Sequence, residues 1–303
     1  MEFEIHIGQW VEVVVDFIIA HFEPLLDAIS AVIGAVAESL EGALLWLPPW
    51  ALALILVLFG LWRVGWRFAL FVAAAMVLVI GMDLWEETMS TMALVIAASF
   101  VALVIGMPVG VAMAKSDTVE MIVRPVLDFM QTMPPFVYLI PAAMFFGLGK
   151  VPGTVATVVF AMPPAVRLTN LGIRQVNPEN IEAGLAFGCT DRQLLFKVQL
   201  PLALPSLMTG VNQTIMMALS MVVIASMIGA GGLGNTVLTG IQRLDIGLGF
   251  EGGLGVVLLA ILLDRITQSF GRRRAGPSLF ANLKALVQRP DEEAPAASGR
   301  AGE

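Results

Sequence analysis

Side chains able to do chemistry are sparse in the apolar body of this chain, and one stretch between apolar segments gathers several of them. Asn177–Pro201, NPENIEAGLAFGCTDRQLLFKVQLP, is the longest polar interval in an otherwise apolar sequence. Its punctuation is that of a docking element. Asn177 can cap a helix whose first position is Pro178, with Glu179 in the first turn complementing the helix dipole. That helix is expected to stop near Gly188. Thr190-Asp191-Arg192-Gln193 then reads as a capping box, in which threonine and glutamine side chains satisfy each other's backbone amides. The second helix is expected to end before Pro201, because the residue preceding a proline is pushed out of the helical region. Two short amphipathic helices with an elbow at Gly188-Cys189 have little to bury on a membrane face, so a partner is expected there.

A second group of residues suits a solute pathway. Pro134-Pro135, Pro141 and Pro163-Pro164 fall within apolar segments, where proline breaks or kinks a helix and frees backbone carbonyls. Phe129, Phe136, Tyr138, Phe145 and Phe146 lie on or beside the first break. Aromatic faces attract quaternary ammonium groups by cation–π interaction. Packing and lipid contact are the competing roles for the same rings.

Other chemistries find no support. His6 and His21 stand alone, and Cys189 is the single cysteine, so neither a disulfide framework nor a metal cluster is indicated. No nucleophile, base and orienting group cluster at one depth, as an enzyme would require. Gly229-Ala230-Gly231-Gly232-Leu233-Gly234 satisfies G-x-G-x-x-G but follows a hydrophobic helix, without the strand–turn–helix context that dinucleotide binding needs. Gly149-Lys150 is followed by Val151, so no Walker A loop is present, and this chain is expected not to hydrolyse ATP. Asn212-Gln213-Thr214 is a glycosylation sequon inside a span, where it cannot serve.

These residues must be held by a membrane body. The 303 residues are 58% hydrophobic and 14% charged, with a mean hydropathy of +0.86, a composition that marks an all-α integral membrane protein. Spans are predicted near 46–62, 68–82, 91–114, 126–148, 151–168, 206–228 and 250–268, about seven helices each near the ~20 residues that cross ~30 Å of hydrocarbon. Residues 1–62 carry eight acids and no Lys or Arg; removing those acids leaves sixteen acids against seventeen bases, so the net charge of −7 belongs to this segment. With the N-terminus outside, only Lys150 and Arg243 of the seventeen bases fall outside, as the positive-inside rule requires. The interval 177–201 is then cytoplasmic. Trp46, Trp50, Trp62, Trp66 and Trp85 sit at span ends, as aromatic belts do.

The chain therefore divides into four regions. Residues 1–45 read as extracytoplasmic or interfacial amphipathic helix, with Glu12, Asp16, Glu23 and Asp27 on one face and a break or restart at Pro24. Residues 46–90 hold two peripheral spans. Residues 91–270 hold the remaining five predicted spans, with a cytoplasmic loop over 172–205. Residues 271–303 are a cytoplasmic tail, largely disordered, rich in Ala, Pro, Gly and acids beyond Pro290. Within the core, Gly106-Met107-Pro108-Val109-Gly110 offers a face for close helix approach. Asp128 is expected as a helix-start charge after Arg124-Pro125, and Asp264-Arg265, where the last span exits, as side chains that can snorkel or pair.

The residues in 177–201 also carry a resemblance. Glu182-Ala183-Gly184, then Gly188, then Val198, Leu200 and Pro201 resemble the "EAA" signature of ATP-binding-cassette importer permeases: Glu-Ala-Ala, three residues, Gly, nine residues, Ile, one residue, Leu-Pro. The spacing is kept throughout; Gly184 replaces the second alanine and Val198 the isoleucine. Gly184 is expected to loosen its helix by up to about 1 kcal/mol relative to Ala. Further likeness, to glycine betaine/proline permease subunits, lies in Met130–Pro141, Phe196–Ala203, Gly210–Thr214 and Ala218–Ile228, and covers roughly Trp85 to Phe270. The glycine-rich run 229–234 resembles the re-entrant turn after the fourth core helix of such permeases.

That resemblance implies a five-helix, MetI-like core of a type I importer with N-terminal additions. It implies a second permease copy in a homodimer, a cytoplasmic ATP-binding subunit that holds ATP and Mg, and an extracytoplasmic substrate-binding protein, all in a bacterial inner membrane and without nucleic acid. Substrate would be a glycine betaine- or proline-type compatible solute, moved inward by alternating access. Glu182, Ala183, Gly184, Gly188, Val198, Leu200 and Pro201 would couple to the ATPase; Phe136, Tyr138, Phe145, Pro134, Pro135, Pro163 and Pro164 are the pathway candidates. The alternatives are a permease of the same class for another small amine or amino acid, such as choline or carnitine, or an ion-coupled secondary transporter, which would need central intramembrane carboxylates.

Overall fold

The computed structural model describes residues 7–271, so the expected disordered tail beyond 271, together with Met1 to His6, lies outside the described residues. Every described element is helical: α1 (Ile7–Trp46), α2 (Pro49–Arg63), α3 (Trp66–Gly81), α4 (Trp85–Lys115), α5 (Asp117–Thr132), α6 (Pro135–Phe146), α7 (Lys150–Arg174), α8 (Pro178–Ala186), α9 (Asp191–Leu194), a π turn (Leu195–Gln199), α10 (Leu200–Ser226), α11 (Gly232–Arg243) and α12 (Ile246–Gly271). Helices dominate because the bilayer offers backbone amides no partners, so each span must bond internally. Buried threonines follow the same rule, Thr88 and Thr157 donating to the carbonyls of Leu84 and Gly153 at 2.6 and 2.7 Å.

Five helical runs are long and apolar enough to cross a membrane: residues 8–46, α4, α7, 191–226 and α12. The expected span 126–148 is not one straight helix. It is replaced by α5 and α6, which meet at an angle of 101°. Ser116 starts α5 early by capping the amide of Val119 at 3.4 Å, and Pro134-Pro135 stops it, with Pro135 at the first position of α6. α2 and α3, at 15 and 16 residues, rise only about 22–24 Å and pack as a hairpin against the bundle. The N-terminal segment is a 40-residue helix with a non-helical Phe22 two residues before Pro24, where the ring meets the preceding turn. Its length and apolarity are those of a span, which the interfacial expectation did not include. By contrast α7 runs unbroken through Pro163-Pro164.

Contacts between helix ends sort them into two faces. At one, Arg63 Nη2 donates to Ser269 O at 3.2 Å, and Arg174 Nη2 donates to Met113 O and Asp117 Oδ1 at 2.8 and 2.6 Å. At the other, Lys150 pairs with Glu41, Gly149 N–H meets Ile228 O at 2.8 Å, and Leu233 N–H meets Thr91 Oγ1 at 2.8 Å. The chain therefore alternates direction at each crossing, and the polar interval 177–201, which follows Arg174, lies at the first face.

The centre is α4, α7 and α10. A Cβ on Gly110 would stand 2.5 Å from Val166 O and 2.6 Å from Thr169 Cβ, so α4 approaches α7 as closely as the Gly106/Gly110 pattern predicts. Two charged residues are used differently from expectation. Asp128 is near the end of α5, not its start, and pairs with Arg167 of α7. Asp264 does not pair with Arg265; its carboxylate accepts from Asn212 Nδ2 of α10 at 2.9 Å and Gln268 Nε2 at 2.8 Å. A carboxylate within a span lowers its cost by taking the nearest donors, and these amides face it directly. α11 folds back between α10 and α12, with Leu233 fully buried.

Candidate functional site

The elbow is built by local rules at each joint. Asn177 Oδ1 accepts from the Glu179 amide at 3.0 Å, and Pro178 opens α8. The helix closes two residues before Gly188, whose φ is +76°. Gly188 N–H donates to Leu185 O at 2.9 Å and Cys189 N–H to Gly184 O at 3.0 Å, the paired bonds of a Schellman cap. The capping box forms as the sequence predicts: Gln193 N–H to Thr190 Oγ1 at 3.4 Å, and Thr190 N–H to Gln193 Oε1 at 3.0 Å.

The second helix does not end before Pro201. It widens into the π turn Leu195–Gln199, where Leu200 N–H reaches back to Leu195 O, and continues as α10 with Pro201 in its first turn. The wider ring accommodates a residue that lacks an N–H and crowds the preceding turn, so the elbow is continuous with a core helix.

Gly184 gains a role that sequence alone does not reveal. A Cβ there would stand 2.7 Å from Leu194 Cδ1 and 3.7 Å from Val198 Cγ2, so the glycine lets α8 seat on the second helix. Gly184 and Val198 thus face inward, whereas Glu182 and Ala183 are exposed. Among the described residues Glu182 has no hydrogen bond or ion pair. Beside it Leu185, Phe187 and Phe196 are 51%, 90% and 58% exposed. These three apolar side chains were not singled out from sequence; aromatics inside a polar interval were the available signal. Leu200 is half-buried and Pro201 exposed at the base of α10.

Below the elbow, Arg174 ends α7 as a hub. Besides Met113 O and Asp117, it donates from Nε to Asn170 Oδ1 at 3.0 Å and pairs with Glu120 at 3.0 Å. The elbow's first strut is thereby tied to α4 and α5 through a charge-assisted network.

The pathway candidates are not gathered into one lining. Pro134 and Pro135 form the α5–α6 corner, and Phe136, Tyr138 and Phe145 follow on α6. The Tyr138 hydroxyl donates to Met130 O, with Phe129 O at 3.5 Å, so it staples the corner through the carbonyl whose helical donor would be the N–H that Pro134 lacks. Phe145 meets Phe146 edge-on at 6.2 Å, and Phe136 is 52% exposed. Pro163 and Pro164 are buried in α7, where Pro164 O lies 3.4 Å from a Cβ built on Gly210 of α10. Among the described residues no group of three or more His, Cys, Asp or Glu could hold a metal.

A multi-pass helical bundle with a short helical elbow at one face is the architecture of a membrane transport subunit. The chain belongs to the family of binding-protein-dependent transport system inner membrane components, whose family model matches residues 102–276. It is 49% identical over 273 residues to the glycine betaine/carnitine transport permease protein GbuB of Listeria monocytogenes serotype 1/2a (strain 10403S), covering 89% of this chain and 96% of that protein. It is 46% identical over 269 residues to the glycine betaine/proline betaine transport system permease protein ProW of Escherichia coli (strain K12), covering 88% and 76%. The glycine betaine transport system permease protein OpuAB of Bacillus subtilis (strain 168) is 45% identical over 255 residues, covering 84% and 90%. Among solved structures, an inward-facing conformation of the MetNI methionine ABC transporter superposes with a TM-score of 0.54 at 25% identity, covering 63% of this chain and 94% of that one. The chain is a multi-pass permease of the inner membrane with a type I importer fold.

Proposed function

We propose that this chain is the permease subunit of an importer that moves glycine betaine, proline betaine or a closely related quaternary amine inward by alternating access, with ATP and Mg bound by a separate cytoplasmic ATPase. The observation that carries the coupling is the exposed face of α8. Glu182, Leu185 and Phe187 present one carboxylate and two apolar side chains that no described residue of this chain covers, at the face where the basic residues gather. By the positive-inside rule that face is cytoplasmic. An ATPase cleft that buries Phe187 and pairs Glu182 would move α8, and the π turn would pass that motion into α10. Two copies of the chain, an extracytoplasmic binding protein and surrounding lipid complete the assembly. The names of the three relatives support the solute class, and the binding protein sets the choice within it.

Glu182→Lys tests the reading in proteoliposomes containing the permease, ATPase and binding protein. Uptake of glycine betaine is expected to require ATP, to be indifferent to sodium or proton gradients, and to be abolished by the substitution while the protein still inserts. Coupled uptake at the unmodified rate by Glu182→Lys contradicts the assignment of α8; uptake driven by an ion gradient without ATP contradicts the transport class.

A further inference from the structure

At the basic face, the turn between α2 and α3 and the last turns of α12 border a cavity of about 400 Å3 lined by Val64, Gly65, Trp66, Arg67, Phe68 and Arg265. Its charge is one-sided. Arg67 and Arg265 are exposed and have no ion pair or hydrogen bond among the described residues. At the same face Arg124, Arg167 and Arg174 are each matched to a carboxylate. Asp264, the acid next in sequence to Arg265, is turned to Asn212 and Gln268 instead. Among the described residues no acid lines the cavity. Arg63 adds a third positive charge beside it while remaining structural, its guanidinium 4.1 Å over the Phe270 ring and bonded to Ser269 O.

The rim is apolar in the manner of a membrane interface. Trp62 and Trp66 are 64% and 66% exposed, as headgroup-level aromatics are. Exposed Leu58, Leu61 and Leu70 continue from them along the outer faces of α2 and α3. Phe68 is buried at the cavity floor. The first turn of α3 has no side-chain cap, so its free amides add partial positive charge to the same space.

We propose that this cavity binds the phosphodiester of an anionic phospholipid in the leaflet at the basic face, with Arg67 and Arg265 as the pairing groups and the leucine surface of α2 and α3 receiving the acyl chains. Phosphate chemistry follows from two guanidiniums without a counter-charge, Arg67 resting 5.5 Å over the Trp66 ring with its N–H groups unbonded among the described residues. The lipid source follows from the tryptophan and leucine rim, which a soluble phosphate would leave unused. Basic pockets between spans recognise lipid headgroups by this combination. The site binds α2–α3 to α12 and is independent of the coupling reading above.

The test is lipid retention by the full-length chain in mild detergent, read by native mass spectrometry with phosphatidylglycerol, phosphatidylcholine or inorganic phosphate added separately. Phosphatidylglycerol is expected to be retained in preference to phosphatidylcholine, and Arg67→Gln combined with Arg265→Gln to weaken it roughly 25-fold, about fivefold per guanidinium. Arg67→Lys with Arg265→Lys is expected to recover most of the binding, which a merely misfolded site would not. Arg243→Gln, at the opposite face, should leave it unchanged. Equal retention of the two lipids, or unaltered phosphatidylglycerol binding by the double glutamine variant, overturns the proposal. Inorganic phosphate that binds as well as phosphatidylglycerol and is lost in the same variant assigns the cavity to a soluble anion and overturns the lipid.

Discussion

Replacing Gly188 by alanine isolates the elbow from the bundle. Gly188 has φ +76°, and nothing lies within 4 Å of a Cβ added there, so the cost is backbone strain alone. A residue with a Cβ in the left-handed region costs about 1–2 kcal/mol. α8 has only nine residues, too few to persist without its caps and its seat on Leu194. The strain therefore converts almost directly into a loss of order, lowering the ordered fraction of the elbow by roughly 5- to 30-fold. Amide exchange across 178–189 is expected to accelerate by that factor, and ATPase stimulation by substrate to fall with it. Thermal unfolding of the bundle should be unchanged, because no α8 side chain belongs to the buried hydrophobic clusters. Gly188→Asn should fall between, since asparagine enters the left-handed region more readily. Unchanged exchange in Gly188→Ala, or identical behaviour of the alanine and asparagine variants, refutes the argument.

Two further perturbations address the core. Gly110→Ala places a methyl 2.5 Å from Val166 O and should destabilise the α4–α7 seam by about 1–3 kcal/mol, read as a lowered unfolding temperature in detergent; Gly253→Ala, with nothing within 4 Å, should not. Tyr138→Phe keeps the aromatic face but removes the staple to Met130 O, an intramembrane hydrogen bond of about 0.6–1.7 kcal/mol. Uptake rate should drop severalfold with half-saturation unchanged, whereas a substrate-contacting hydroxyl would raise half-saturation.

Much of the elbow was legible because its signals are local. Asn177, Pro178, Gly188, Thr190 and Gln193 each act on backbone within a few positions, and each performs the expected capping or turn function in the structure. Proline was less legible. Pro134-Pro135 breaks a helix and Pro163-Pro164 does not, although both pairs sit in apolar segments. The difference lies in surroundings: Pro163 and Pro164 are buried against neighbouring helices that hold α7 together, while Pro134 is exposed at a corner. Pro201 likewise continues a helix because a π turn precedes it.

The sequence by itself determined the class: an apolar chain with one-sided basic loops must be a helical membrane bundle, and a capped elbow between two spans must be displayed at one face. Those properties depend on composition and on bonds between near neighbours. Tertiary structure alone decided which partners the charged groups took, with Asp264 on Asn212, Asp128 on Arg167 and Arg174 on Asp117 and Glu120. It also decided that Gly184 admits Leu194, that Tyr138 staples a corner, and that Arg67 and Arg265 stay unmatched around a cavity. Each is a contact between segments distant in sequence, and its energy depends on a separation that only the packed helices define.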